Sequence, residues 1–282
     1  MIIDVDFHFI ETNGIRLHVA FAGPEDGPLV LLLHGFPEFW YGWKNQIEPL
    51  ANAGYRVVIP DQRGYNLSDK PEGIANYTLD KLRDDIIGLI KACGRESATI
   101  IGHDWGGAVA WYLTATRPQY VDKLVAVNIP HLSAMKKTIL SYPPQWLKSS
   151  YILLFQLPDI PESFLKSDNY KRLTGALLAS SKKGTFHSVD IDYYHSAWSQ
   201  EGSVTGMLTW YRAMRFAKLP SEKIAVSTRI IWGMDDQFLS VESAKKSLNF
   251  CENGELIFVG EATHWVNHEQ PEIVTKLILE FI

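Results

Sequence analysis

The chain has 282 residues, 46% apolar and 21% charged, with 27 Lys+Arg against 32 Asp+Glu and a formal net charge of −5. That is a globular composition of one domain's length with room for a sizeable insertion, and it excludes a disordered chain. An acidic balance without a basic run excludes nucleic acid as the main partner, and no apolar run reaches the roughly 18 residues of a membrane span.

The start, Met1-Ile2-Ile3-Asp4-Val5-Asp6, has no basic region and does not read as a secretory leader. The two cysteines, Cys93 and Cys251, are too few for a disulfide framework. A cytoplasmic chain is therefore expected. Residues Asp6 to Phe21 alternate apolar and polar on both sides of Asn13-Gly14, the dipeptide of a type I′ turn, so the fold opens with a β-hairpin. Leu29-Val30-Leu31-Leu32-Leu33 follows, an all-apolar run suited to a strand buried on both faces of a parallel sheet. Similar runs occur at Arg56–Pro60, Ala98–Gly102, Leu124–Val127, Thr228–Trp232 and Glu255–Val259.

Helices are expected between these strands. Thr78 is placed as an N-cap, Leu79, Leu82, Ile86, Leu89 and Ile90 recur at helical spacing, and Gly94 closes the segment. A second helix runs from about Trp105 to Arg117 and stops at Pro118; a third fills Pro271 to Ile282. The alternation predicts an α/β fold with a mostly parallel sheet and helices on both faces. It breaks between 132 and 219, where helical patches replace the strand runs. The chain therefore divides into a core of residues 1–131 and 220–282 and a helical insertion over 132–219. An insertion that follows a strand's carboxyl end is expected to lie over the ligand site as a lid.

The chemistry centres on Gly102-His103-Asp104-Trp105-Gly106, a G-x-D-x-G turn between a buried strand and a helix. Its serine counterpart is the strained elbow that exposes a nucleophile. A carboxylate there suits attack on an electrophilic sp3 carbon, with an ester as the intermediate. The structural alternative is an Asp that only caps the following helix. Hydrolysis of an ester then needs a base and a group that orients it. His264, just after the last strand, supplies the first, with His268 as its rival. Asp235 or Asp236, after the strand before, supplies the second. The order nucleophile, acid, His is that of α/β-hydrolases. The backbone N–H groups of Phe36 and Trp105 can form an oxyanion hole. Pro37, Phe39 and Trp40, in the same loop as Phe36, are expected to line the substrate pocket, and Pro37 to sit in a cis turn. His34 is read as bracing that loop. No short-spaced ligand pair indicates a metal.

Four stretches, His34-Gly35-Phe36-Pro37-Glu38-Phe39-Trp40-Tyr41, Asp61-Gln62-Arg63-Gly64-Tyr65, Gly102-His103-Asp104-Trp105-Gly106-Gly107 and Trp232-Gly233-Met234-Asp235-Asp236, resemble the α/β-hydrolase-fold epoxide hydrolases. The resemblance covers nearly the whole chain and is weakest in the insertion. It implies an α/β-hydrolase fold, with an eight-stranded, mostly parallel sheet and a helical cap. It puts nucleophile, base and acid on Asp104, His264 and Asp236; the family acid is the second Asp of the pair, which decides against Asp235. Two cap tyrosines that hold the epoxide oxygen fall on Tyr211, within Thr209-Trp210-Tyr211-Arg212, and on Tyr151, with Tyr142 as a rival for the second place. The resemblance implies a lipophilic epoxide and water as substrates and a vicinal diol as product. It implies no cofactor and no metal, and a monomer or homodimer. A dehalogenase and a non-catalytic ligand-binding protein of the same fold are the alternatives. Against the first, Phe36 stands where haloalkane dehalogenases carry an amide, and the elbow helix has no Arg before Arg117, about three turns on.

Overall fold

The computed structural model describes residues 5–282, so the reading of Met1–Asp4 as a start without a leader lies outside the described residues. Strands β1 (Asp6–Thr12) and β2 (Ile15–Ala22) form the opening hairpin, with Asn13 and Gly14 both at positive φ, 47° and 76°, as a type I′ turn requires. The remaining strands are β3 (Leu29–Leu33), β4 (Arg56–Pro60), β5 (Ala98–His103), β6 (Val121–Val127), β7 (Thr228–Gly233) and β8 (Gly254–Val259). They form one eight-stranded sheet in the order β1-β2-β4-β3-β5-β6-β7-β8. β1 and β2, and β2 and β4, pair antiparallel; every other pairing is parallel.

The reason for the apolar runs is visible in β3. Leu29, Leu31 and Leu33 join the core on one face, Val30 and Leu32 the core on the other. Full burial of each such side chain is worth about 1.5–3 kcal/mol as an upper estimate. Helices α2 (Leu79–Ala92) and α3 (Asp104–Thr116) cover the first face. The second is covered by α1 (Lys44–Asn52) and, near the C-terminus, by Pro271–Leu279. Thr78 stands at the N-cap of α2, but its side chain makes no capping bond; Gly94, at φ 73°, ends the helix as expected.

Between β6 and β7 the chain is helical: α4 (Leu132–Ser141), α5 (Pro143–Lys148), α6 (Tyr151–Phe155), α7 (Ile160–Ser180), α8 (Ser188–Trp198) and α9 (Ser203–Ala213). Within α7 the helix breaks at Ser167–Tyr170, where Asp168, Asn169 and Tyr170 have φ of 50–62°. After β7 come α10 (Val241–Ser247), α11 (Val266–Glu269) and α12 (Pro271–Leu279). Because β4 lies on one side of β3 and β5 on the other, the loops leaving β3 and β5 diverge at their carboxyl ends. That is the switch point where open α/β sheets bind ligands. Among the described residues no helix is long and apolar enough to cross a membrane.

Candidate active site

Asp104 is the first residue of α3 and has φ 48°, a left-handed conformation that costs a non-glycine residue of order ~1–3 kcal/mol. Two glycines make the turn sterically feasible. A Cβ on Gly106 would lie 2.2 Å from the carbonyl oxygen of Leu33, and one on Gly35 would lie 2.4 Å from the Asp104 Cβ. The carboxylate does not cap its own helix. Its Oδ1 accepts the Phe36 N–H at 2.9 Å, and its Oδ2 lies 3.5 Å from His264 Nε2. The Trp105 N–H sits in the first turn of α3, where backbone donors have no partner within the helix.

His264 Nδ1 is 2.8 Å from Asp236 Oδ2. Asp236 is fixed in turn: Asn128 Nδ2 donates to Oδ2 at 2.7 Å, and the Phe238 and Leu239 N–H groups donate to Oδ1 at 2.7 and 2.9 Å. Asp235 is exposed, and His268 pairs with Glu38 rather than with either aspartate. Burial pulls the His264 imidazole down, but the two flanking carboxylates outweigh it and hold its pKa at about 10. Burial likewise pushes Asp104 and Asp236 up, and the cationic imidazole and the donated hydrogen bonds bring both below the ordinary carboxylate value.

These groups open on a cavity of about 300 Å³. Its walls include Phe36, Pro37, Leu154, Phe155, Phe164, Leu177, Phe238 and Trp265, with Tyr151 and Tyr211 beside Asp104 and His264, and with Arg172 and Ser180 as further polar groups. The two tyrosine rings are 6.2 Å apart, centre to centre. Burial, reinforced by nearby negative charge, raises both phenols above their ordinary value, so they stay protonated donors at neutral pH. Tyr142 is part-exposed and outside the cavity. Arg212 explains how two tyrosines from different helices meet. Its guanidinium, on α9, donates to the carbonyls of Phe155 and Leu157 at 3.0 and 2.6 Å and forms a two-point pair with Glu162, tying α6 to α9.

Two pocket expectations fail. The peptide bond before Pro37 is cis and Pro37 lines the cavity, but Phe39 and Trp40 do not. The chain turns away after Pro37. The Trp40 N–H is held by Asp61 Oδ1 at 2.9 Å, the Trp40 ring packs on Phe7, and Phe39 is buried against Tyr41 and Tyr194. His34 braces the loop as expected: the Gln62 N–H donates to its Nε2 at 3.0 Å, and Gln62 Nε2 donates to its carbonyl at 2.6 Å.

Three supporting groups were not read from the sequence. Asn128 orients Asp236, and Lys148, on α5, donates to the Asp236 carbonyl at 2.6 Å. Glu38 is the third. It is buried, accepts from Tyr194 and His268 at 2.7 Å each, and lies 3.2 Å from His103 Nδ1, whose Nε2 reaches the His264 carbonyl at 2.9 Å. Burial opposes its charge, but the two histidines hold its carboxyl well below the usual range. Its signal in the sequence was an acid inside the apolar His34–Tyr41 stretch, where a carboxylate needs a partner. A second, shallower groove of about 590 Å³ between α1 and α12 contains none of these residues. Among the described residues, no three His, Cys, Asp or Glu side chains are grouped to hold a metal ion.

An acidic elbow after β5, a His after β8 and an Asp after β7 on one α/β sheet define the class of protein. The model of the alpha/beta hydrolase fold matches residues 28–271. The chain is 60% identical, over 99% of its own length and 98% of the relative's, to the AB hydrolase superfamily protein YfhM of Bacillus subtilis. It is 38% identical to human epoxide hydrolase 4, over 97% of this chain and 77% of the relative. An inhibitor-bound crystal structure of an epoxide hydrolase from Bacillus megaterium superposes with a TM-score of 0.90 at 32% identity, covering 97% of this chain and 99% of that one. The chain belongs to the alpha/beta hydrolase fold family, among its epoxide hydrolases.

Proposed function

We propose that the protein converts a lipophilic epoxide and water to a vicinal diol through an ester on Asp104. The supporting observation is the division of labour on that carboxylate: Oδ1 is held by the Phe36 N–H, while Oδ2 is left toward His264 and the cavity. An epoxide enters beneath the helices of residues 132–219, which act as a cap, and its oxygen accepts hydrogen bonds from Tyr151 and Tyr211. Oδ2 attacks a ring carbon, the C–O bond breaks, and a phenol proton passes to the alkoxide. The product of this step is a neutral ester.

Esterification removes one of the two carboxylate charges that hold the His264 imidazole protonated, so its pKa falls and the neutral base becomes available only when there is an ester to hydrolyse. The proton it sheds restores the phenol. Neutral His264, oriented by Asp236, then takes a proton from water, and the hydroxide attacks Cγ of Asp104. The oxyanion that forms on Oδ1 rests on the N–H groups of Phe36 and Trp105. Collapse releases the diol and the carboxylate. Water and an epoxide are the only reactants in this scheme. A cytoplasmic setting fits the two free, buried thiols, Cys93 and Cys251.

The test is product analysis on a panel of aryl and alkyl epoxides set beside simple haloalkanes and haloacids. Diol from the epoxides without halide release is expected. Halide release without diol would make the protein a dehalogenase, and saturable binding with neither product would make it a binding protein. Tyr211→Phe is expected to lower kcat on the accepted epoxide by roughly 10²-fold, and Tyr151→Phe/Tyr211→Phe by up to about 10⁴-fold, the range of a lost general acid. An unchanged kcat in the double variant would remove the phenols from the mechanism.

A further inference from the structure

The insertion carries an unusual surface. Of the nineteen large hydrophobic side chains that are exposed among the described residues, nine fall within the 25 residues 140–164. Trp146 and Leu147 on α5, Leu153 on α6 and Ile160 at the start of α7 are each 56–65% exposed. They are close in sequence. Only Ser149 and Ser150 separate α5 from α6, and Ile160 stands one turn before Phe164 on α7. Leu154 and Phe164 are themselves part-exposed and line the cavity that holds Asp104, so the apolar surface continues into the mouth of the site. Exposed apolar side chains concentrated in this way mark an interaction surface.

Charge identifies the partner. Residues 132–172 contain six Lys+Arg and three Asp+Glu, a net +3 on a chain whose overall charge is −5. Lys136, Lys137, Lys166 and Lys171 are all exposed. Protein–protein interfaces are depleted in lysine. Tryptophan and leucine fringed by lysine on short helices is the composition of a surface that lies in the headgroup region of an anionic bilayer.

We propose that the α5–α7 face docks on an anionic lipid surface, with the mouth of the cavity turned toward the acyl chains. A lipophilic substrate concentrated in the bilayer then reaches Asp104 without crossing water. This rests on the epoxide reading only for what enters the cavity; the docking itself is measured without turnover.

Co-sedimentation with vesicles tests it. One set is phosphatidylcholine alone; the other contains about 30% phosphatidylglycerol, a typical anionic surface. The protein is expected to bind the anionic vesicles in preference and to lose that preference as salt rises. Leu147→Glu/Leu153→Glu, two exposed positions outside the cavity, is expected to weaken binding more than about tenfold with thermal unfolding unchanged. Lys166→Glu/Lys171→Glu is expected to abolish the preference for anionic over neutral lipid. Failure of the wild-type protein to bind either vesicle would overturn the proposal, as would equal binding by the leucine variant. So would a lipid-free dimer in light scattering that the leucine variant converts to monomer, because a second copy would then be the occupant of this face.

Discussion

Asp104→Ala is expected to lower diol formation by more than about 10⁴-fold while the protein still folds. The size follows from removing the atom that makes the first covalent bond, and groups that act as a unit in catalysis lose most of their effect when any one is removed. Asp104 already carries the strain of φ 48°, and alanine, without a short polar side chain to bond locally, tolerates it only slightly less well, so a slightly lower melting temperature is expected alongside. The variant has a second signature. With one of its two flanking carboxylates gone, the His264 imidazole titrates below the value of about 10 set by the pair. Steady-state diol analysis and NMR titration of the imidazole check both. Activity within tenfold of the wild type would place the chemistry elsewhere.

His264→Gln is expected to separate the two halves of the reaction. Attack by Asp104 does not use the imidazole as a base, whereas ester hydrolysis does. Mixed with a reactive epoxide, the variant is expected to gain one substrate mass per chain, located by peptide mapping on Asp104. Its turnover is expected to fall by ~10⁴-fold, the upper range for a lost general base. Gln at 264 also leaves Asp236 without its cationic partner, although the donors from Asn128, Phe238 and Leu239 still hold that carboxylate in place. An unmodified variant across several reactive epoxides would contradict an ester intermediate.

The parts of this arrangement that could be read from the sequence are those where one residue type is dictated locally. β3 needs five buried side chains on two faces, and only an unbroken apolar run supplies them. β6 starts three residues before its apolar run because Asp122 and Lys123, at its less buried end, break the pattern without breaking the pairing. The elbow is legible because Gly35 and Gly106 leave room that no Cβ could occupy. What stayed hidden depends on elements far apart in the chain. Phe39 and Trp40 share a loop with Phe36, yet the bond from the Trp40 N–H to Asp61 turns the backbone away from the cavity. Glu38 sits beside them and acquires its partners from β5, α8 and α11. Tyr151 could not be separated from Tyr142 because α5 and α6 are one to two turns long, too short for periodicity to say which face meets α9. The bonds from Arg212 to Phe155 and Leu157 tie α6, and Tyr151 with it, to α9.

The central claim is that an oxygen atom of Asp104 leaves in the product, and a single turnover in water enriched in the heavy oxygen isotope tests it most directly. With protein in excess over epoxide, the account predicts a diol without label and an Asp104 peptide that has gained one heavy oxygen, because water attacks Cγ and Oδ2 departs with the substrate. Label in the first-turnover diol, with Asp104 unlabelled, would mean that water attacks the ring directly and that no ester forms.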